Sequence, residues 1–195
     1  MGFESYVRAL PMDSGLPNLR QGNLYSGSMA YTVKGVEPAM NETLAAIEKK
    51  NGRSNFLRTM AHRPEAMEAF TRLYGSLMGP SSLERRLKEI VYLAVSTVNE
   101  CTYCTSHHVT SGRAAGLSDE EIHSIETENN QHFSPKELAA LHYARELTRT
   151  ASVDDDSRYR VQELFSNEQF VELTMIIAIA NFTNRFNNGL SVPLE

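Results

Sequence analysis

The sequence predicts an all-α fold. Three observations carry that prediction: apolar residues recur at helical spacing along most of the chain, capping boxes punctuate its C-terminal third, and no stretch sustains a period of two. With 195 residues and 41% hydrophobic content, the chain is long and apolar enough for one well-cored domain.

Residues 1–37 are rich in Gly, Ser, Pro and Tyr and lack periodicity. They read as an extended arm, laid along its own domain or over a second subunit. Residues 38–195 read as a single helical domain. Pro38 suits a first helical position; Met40, Leu44 and Ile47 follow at helical spacing, and Asn51-Gly52 closes the segment. A short helix carries Phe56, Leu57, Met60 and Ala61. Pro64 opens the next, with Met67, Phe70, Leu73, Tyr74 and Leu77 on one face and Gly79-Pro80 as its stop.

A helix from about Ser81 to Val98 follows. Leu83, Leu87, Ile90, Val91, Ala94 and Val98 form one stripe, and Tyr92, Leu93 and Val95 make its second half apolar all round. That pattern describes a central, buried helix. Asn99 reads as a break and N-cap. The next helix runs from Cys101 through Ala115 to Gly116. Ser118-x-x-Glu121, Ser134-Pro135-x-Glu137 and Ser166-x-x-Gln169 open helices near 119–129, 135–150 and 167–187. Asp154 to Asp156 open one more, ending near Phe165, where acidic side chains favour the helix dipole. Asn187-Asn188-Gly189 closes the last.

Composition and charge argue against several functions. A formal net charge of −5 argues against nucleic acid and anionic membrane partners. No apolar run reaches the roughly 18 residues of a membrane span. The opening Met1-Gly2-Phe3-Glu4-Ser5 lacks the features of a secretory signal. A cytoplasmic protein is expected. In that compartment two cysteines two residues apart point to redox chemistry or metal binding.

The reactive groups concentrate between Glu89 and His108. Both cysteines, Cys101 and Cys104, lie there. A thiol becomes a nucleophile only as thiolate, and free cysteine titrates at about 8.5. Three devices favour the anion here. The pair opens a helix, where partial positive charge gathers. Cys104 and His108, at i and i+4, share a helix face, so the imidazole can accept the thiol proton. Cys101, at i−3 from Cys104, can resolve an oxidised partner as a disulfide. Glu89 reaches the site only if the chain reverses near Asn99. In an antiparallel hairpin His108 then lies about 10 Å down its helix and Glu89 about 15 Å down the facing one, within reach of each other. The order Glu89, His108, Cys104 is a proton relay ending on sulfur.

Other assignments stay open on the residues alone. Cys-x-x-Cys-x-x-x-His can hold zinc with His107 or Glu89 as fourth ligand. Glu89 can instead pair with Arg85 or Arg86, and His108 can be a satisfied core residue. Asn181, Asn184 and Arg185 share a face of the last helix and suit a substrate mouth, buried hydrogen bonds or an interface. His62, His123, His132 and His142 have no evident partners.

The pattern Glu-x(11)-Cys-x-x-Cys-x-x-x-His, met by Glu89, Cys101, Cys104 and His108, strongly resembles the signature of AhpD-like alkylhydroperoxidases within the carboxymuconolactone decarboxylase superfamily. The surrounding Lys88–Cys104 segment resembles its peroxidase-related subgroup, and the resemblance runs from Asn55-Phe56-Leu57 to Val192-Pro193-Leu194. It implies an AhpD-like helical domain with a central antiparallel hairpin, in homo-oligomers: dimers, trimers or hexamers. It implies reduction of organic hydroperoxides by a disulfide-forming pair, Cys104 attacking, with an external dithiol or protein reductant and no cofactor or metal. A thiol–disulfide oxidoreductase or redox sensor is the alternative. The decarboxylase branch lacks the cysteine pair, so its lactone chemistry is less favoured. One departure stands out: the best-known branch carries a histidine where Tyr103 stands, and tyrosine does not shuttle protons near neutral pH. His107 points about 100° away from His108 on a helix and is no obvious replacement.

Overall fold

The computed structural model describes residues 33–129 and 131–195. Among them are nine α-helices and no strand: α1 Glu42–Asn51, α2 Asn55–Met60, α3 Pro64–Met78, α4 Arg85–Val98, α5 Thr102–Ala114, α6 Asp119–Glu126, α7 Pro135–Thr150, α8 Asp155–Leu164 and α9 Asn167–Leu190. The arm expected over residues 1–37 lies, up to residue 32, outside the described residues.

The helix starts follow local chemistry. All three capping boxes are formed, by Ser118 with Glu121, Ser134 with Glu137 and Ser166 with Gln169. Each satisfies two backbone donors that a helix start leaves orphaned. Asp154 caps α8 by accepting from Ser157 N–H at 2.7 Å. Pro38 opens only a short 3₁₀ turn, and Asn41 starts α1 by accepting from Leu44 N–H at 2.9 Å.

Four further boundaries depart from the sequence reading. The helix expected from Ser81 begins at Arg85. Glu172 of α9 draws Ser81 and Ser82 away by accepting from both hydroxyls. The Lys88 ammonium, 1% exposed, completes that knot at 2.9 Å from Glu172 and 2.7 Å from the carbonyls of Leu77 and Gly79. A buried charge is tolerated only with such partners. α6 stops at Glu126, because Glu128 turns left-handed at φ 57° and Asn129 N–H bonds back to Ser124 O at 2.9 Å. α9 runs through Asn187-Asn188-Gly189 to Leu190 and is capped by left-handed Ser191. Those asparagines send their side chains across to α5 and the α4–α5 turn instead of to their own backbone. The fourth departure is Asn99, which ends α4 and does not cap α5.

α4 is the axis of the fold, packed against α5, α6, α7 and α9. Every residue from Leu87 to Ser96 is buried. Burying one of its Leu, Ile or Val side chains is worth roughly 1.5–3 kcal/mol. One face joins Tyr143 and Ala144 of α7 and Ile176 and Ala180 of α9; another joins Ile122 and Ile125 of α6 with Leu141 of α7. A separate cluster gathers both cysteines with Leu44, Phe56, Met60, Met67 and Val192. Thus α1–α3 and the chain after α9 wall the cysteine pair. No helix among the described residues is long and apolar enough to cross a membrane.

Candidate active site

α4 and α5 form the antiparallel hairpin, reversing near Asn99, that Glu89 needs to reach the site. The reversal takes three residues. Asn99 ends α4, Glu100 adopts a left-handed φ of 52°, and Cys101 caps α5. Cys101 N–H returns to Ser96 O at 3.0 Å. The Asn99 amide donates to the side-chain oxygens of Asn181 and Asn184, both at 2.9 Å, and Asn188 donates to Asn99 O at 2.8 Å. The polar face of α9 therefore pins the turn. Asn184 makes a buried scaffold bond to Ser96 and Asn181 a partly buried one to Thr148, and neither lines the cavity beside Cys104; Arg185 donates to Asn181.

Cys101 and Cys104 are joined as a disulfide, with Cα atoms 5.4 Å apart. Cys104 N–H points at Cys101 Sγ, 3.3 Å away. Both sulfurs thus sit on the first turn of α5, where unpaired amides and the helix dipole favour negative charge. Asn187 of α9 donates to Cys104 Sγ at 3.2 Å.

The hairpin brings Glu89 to His108. His108 Nδ1 donates to Glu89 Oε2 at 2.7 Å, and their side chains are 9% and 6% exposed. That bond fixes the tautomer and leaves Nε2 free to accept a proton. Tyr92 lies flat against the imidazole, ring centroids 3.6 Å apart and planes at 14°, and its own hydroxyl meets Thr183 at 2.5 Å. Burial, chiefly, holds the Tyr92 hydroxyl well above its ordinary pKa, so it stays neutral. Arg86 does not compete for Glu89: it is engaged by Glu121 and, at 2.9 Å, by Glu137.

A cavity of about 460 Å³ opens onto these groups. Phe56, Phe70, Tyr74 and Tyr92 form its apolar wall; Cys104, His108, Asn187 and Thr183 line its reactive end. His107 lines it too, paired with Glu195. At the rim, His107 Nε2 and Tyr103 OH both meet Glu195, at 2.8 and 2.6 Å, and Asn55 N–H donates to the same carboxylate at 2.7 Å. Burial first, and then the Glu195 bond, push the Tyr103 phenol up to about 12. It remains a donor and carries no proton shuttle at neutral pH.

Glu89 thus pairs with His108 and Cys101 with Cys104, and His108 and Cys104 line the same cavity. Sequence reasoning missed Asn187, Tyr92 and Glu195. Asn187 carried a signal: it continues the buried stripe Ile176, Ala180, Asn184 of α9, where a polar residue needs a buried partner. Glu195 carried none. Among the described residues, no three His, Cys, Asp or Glu side chains are grouped as a metal-ligand set. His62, read as partnerless, lies 2.8 Å from Lys34 O through Nε2.

Residues 64–146, which span α3 to most of α7, match the carboxymuconolactone decarboxylase family. The uncharacterized protein YdfG of Bacillus subtilis is 34% identical over 110 residues, 55% of this chain and 75% of its own. The chain belongs to the carboxymuconolactone decarboxylase family. Among solved structures, a protein of unknown function from Agrobacterium tumefaciens, whose name likens it to the antioxidant defence protein AhpD, superposes with a TM-score of 0.65. It is 28% identical and covers 69% of this chain and 93% of its own. The debrominase Bmp8, bound to 2,3,4-tribromopyrrole, superposes with a TM-score of 0.71 at 20% identity, covering 87% and 93% of the two chains. That second likeness shows a shared fold.

Proposed function

We propose that this family member is a thiol-dependent peroxidase that reduces organic hydroperoxides. The observation that carries the reading is the Glu89–His108 pair, whose imidazole lines one largely aromatic cavity together with Cys104. In the reduced protein His108 Nε2 takes the Cys104 proton. The thiolate attacks the terminal oxygen of R–O–O–H and the O–O bond breaks. The leaving alkoxide takes the proton back from His108 and departs as alcohol. Cys104 is left as a sulfenic acid. The Cys101 sulfur then attacks Cys104, releases water and forms the disulfide. An external dithiol, small or carried on a protein, restores the pair by exchange. The expected setting is a homo-oligomer in the cytoplasm.

The likeness to a debrominase favours a second reading, in which the same pair removes halogen from a flat aromatic ring. Two thiols would become a disulfide, a bromide would leave and the ring would gain a proton. The aromatic wall of the cavity suits either substrate.

One experiment separates the readings. Turnover of cumene hydroperoxide with a dithiol reductant is compared with debromination of a bromopyrrole, for wild type, Cys104→Ser and His108→Ala. Peroxide reduction is expected to vanish in Cys104→Ser and to fall by roughly 10²–10⁴ in His108→Ala. Peroxide loss indifferent to Cys104→Ser sinks the peroxidase. Bromide release without peroxide loss selects the second reading, and disulfide exchange alone selects a redox sensor or oxidoreductase.

A further inference from the structure

Asn187 is 3% exposed and sits at the reactive end of the cavity, on the buried stripe of α9. Its Nδ2 donates to Cys104 Sγ at 3.2 Å. Its Oδ1 is buried and has no hydrogen-bond partner among the described residues. The two atoms belong to one planar amide. Whatever bonds to Oδ1 therefore lies beside the sulfur, and it must be a donor. Nearly all buried polar groups in proteins are satisfied, so an orphan acceptor on a residue that lines a ligand-sized cavity marks where a ligand group belongs.

We infer that Asn187 is the substrate-positioning residue of this site: its N–H holds the Cys104 sulfur while its Oδ1 accepts the O–H of the incoming hydroperoxide. The inference rests on the peroxidase reading and narrows its substrate class. In R–O–O–H the oxygen that the thiolate attacks is the one that carries the hydrogen. One amide can thus hold nucleophile and electrophile together. As the S–O bond forms and the O–O bond breaks, the same O–H becomes that of the sulfenic acid, and Oδ1 keeps its bond. His108 supplies the proton that the alkoxide needs, so Asn187 transfers none. The substrate has one free O–H and an apolar R group lying against Phe56, Phe70 and Tyr74. A dialkyl peroxide has no donor for Oδ1, and hydrogen peroxide leaves the aromatic wall uncovered.

The test uses the reduced full-length protein in a Cys101→Ser background, where Cys104 reacts alone and its sulfenic acid is trapped with dimedone. Rates of Cys104 with cumene hydroperoxide and with N-ethylmaleimide, which has no O–H or N–H, are compared for Asn187 and Asn187→Leu. Loss of the N–H to sulfur slows both reagents; loss of the acceptor slows only the hydroperoxide. The hydroperoxide-to-maleimide rate ratio is expected to fall at least about tenfold, the scale set by a buried group left unpaired. Asn187→Ser, which keeps a smaller acceptor, is expected to recover part of it. Should the leucine variant fail to fold, Asn187→Ala gives the same ratio. An unchanged ratio in a background protein that does form sulfenic acid overturns the role of Asn187 alone. A background protein labelled by maleimide but untouched by hydroperoxide overturns the peroxidase reading, and the role of Asn187 with it.

Discussion

Two neighbouring histidines on α5 each meet a carboxylate, and the two pairs are built differently. His108 and Glu89 are 9% and 6% exposed, and their bond crosses between α4 and α5. His107 and Glu195 are 45% and 23% exposed, and their bond ties α5 to the residues after α9. The bond lengths, 2.7 and 2.8 Å, are nearly equal, so distance does not separate the pairs. Solvent and support do. The inner imidazole is clamped by Tyr92 on its face and lines the same cavity as Cys104, one helical turn back on α5. The outer one leans on Tyr103 at 4.5 Å and stands in water. A carboxylate–imidazole pair at a surface is screened and contributes little, whereas breaking a buried one leaves a polar group stranded.

The comparison can be broken by exchanging the losses. Glu89→Leu leaves His108 Nδ1 without an acceptor. Peroxide reduction is expected to fall about a hundredfold, and unfolding in urea to show a loss of roughly 1–3 kcal/mol. Glu195→Leu is expected to lower turnover less than about threefold, with at most about 1 kcal/mol of stability lost. Equal effects of the two substitutions in the same assays would remove the distinction between relay and rim.

Acid sharpens it. Burial alone would raise the Glu195 carboxyl, but Tyr103 OH, Asn55 N–H and His107 together hold it below the ordinary carboxylate value. A carboxyl whose folded pKa is depressed stabilises the fold above its unfolded pKa, here about 4.5, and that contribution is lost as pH falls through the lower folded value. The melting difference between wild type and Glu195→Gln is therefore expected at neutral pH and should close as acidification passes below the ordinary carboxylate value. A difference that grows in acid contradicts this wiring.

The smallest effect concerns the turn that positions both pairs. Glu100 holds a left-handed φ of 52° with a side chain. Glu100→Gly removes that steric cost and is expected to raise stability by up to about 1 kcal/mol with turnover unchanged. Destabilisation by glycine would mean that the exposed Glu100 side chain itself holds the turn.

Much of this architecture was legible from local chemistry. The capping boxes placed α6, α7 and α9 because their signals lie within four residues. Level counting on two helices brought Glu89 to His108, since a hairpin has one simple register. Long-range bonds were not legible. Glu172 pulls Ser81 and Ser82 out of α4 across 91 and 90 residues, and Glu195 reaches Tyr103 across 92. Nothing at Ser81 or Glu195 announces those partners. Tyr92 looked like one more apolar residue of a buried helix, because stacking depends on which face α5 presents. Helical angle separates His107 from His108, and a cavity that borders the first turns of α5 still takes in both.

The stack of Tyr92 on His108 has a spectroscopic consequence. Protons held over the face of an aromatic ring are magnetically shielded, and at a centroid separation of 3.6 Å the imidazole protons of His108 lie deep in that zone. Of the six histidines in the chain, His108 should give the resonance displaced furthest upfield. Its position would register the opening of the neighbouring disulfide, so the state of the sulfur pair can be followed in solution by one proton signal with no substrate present.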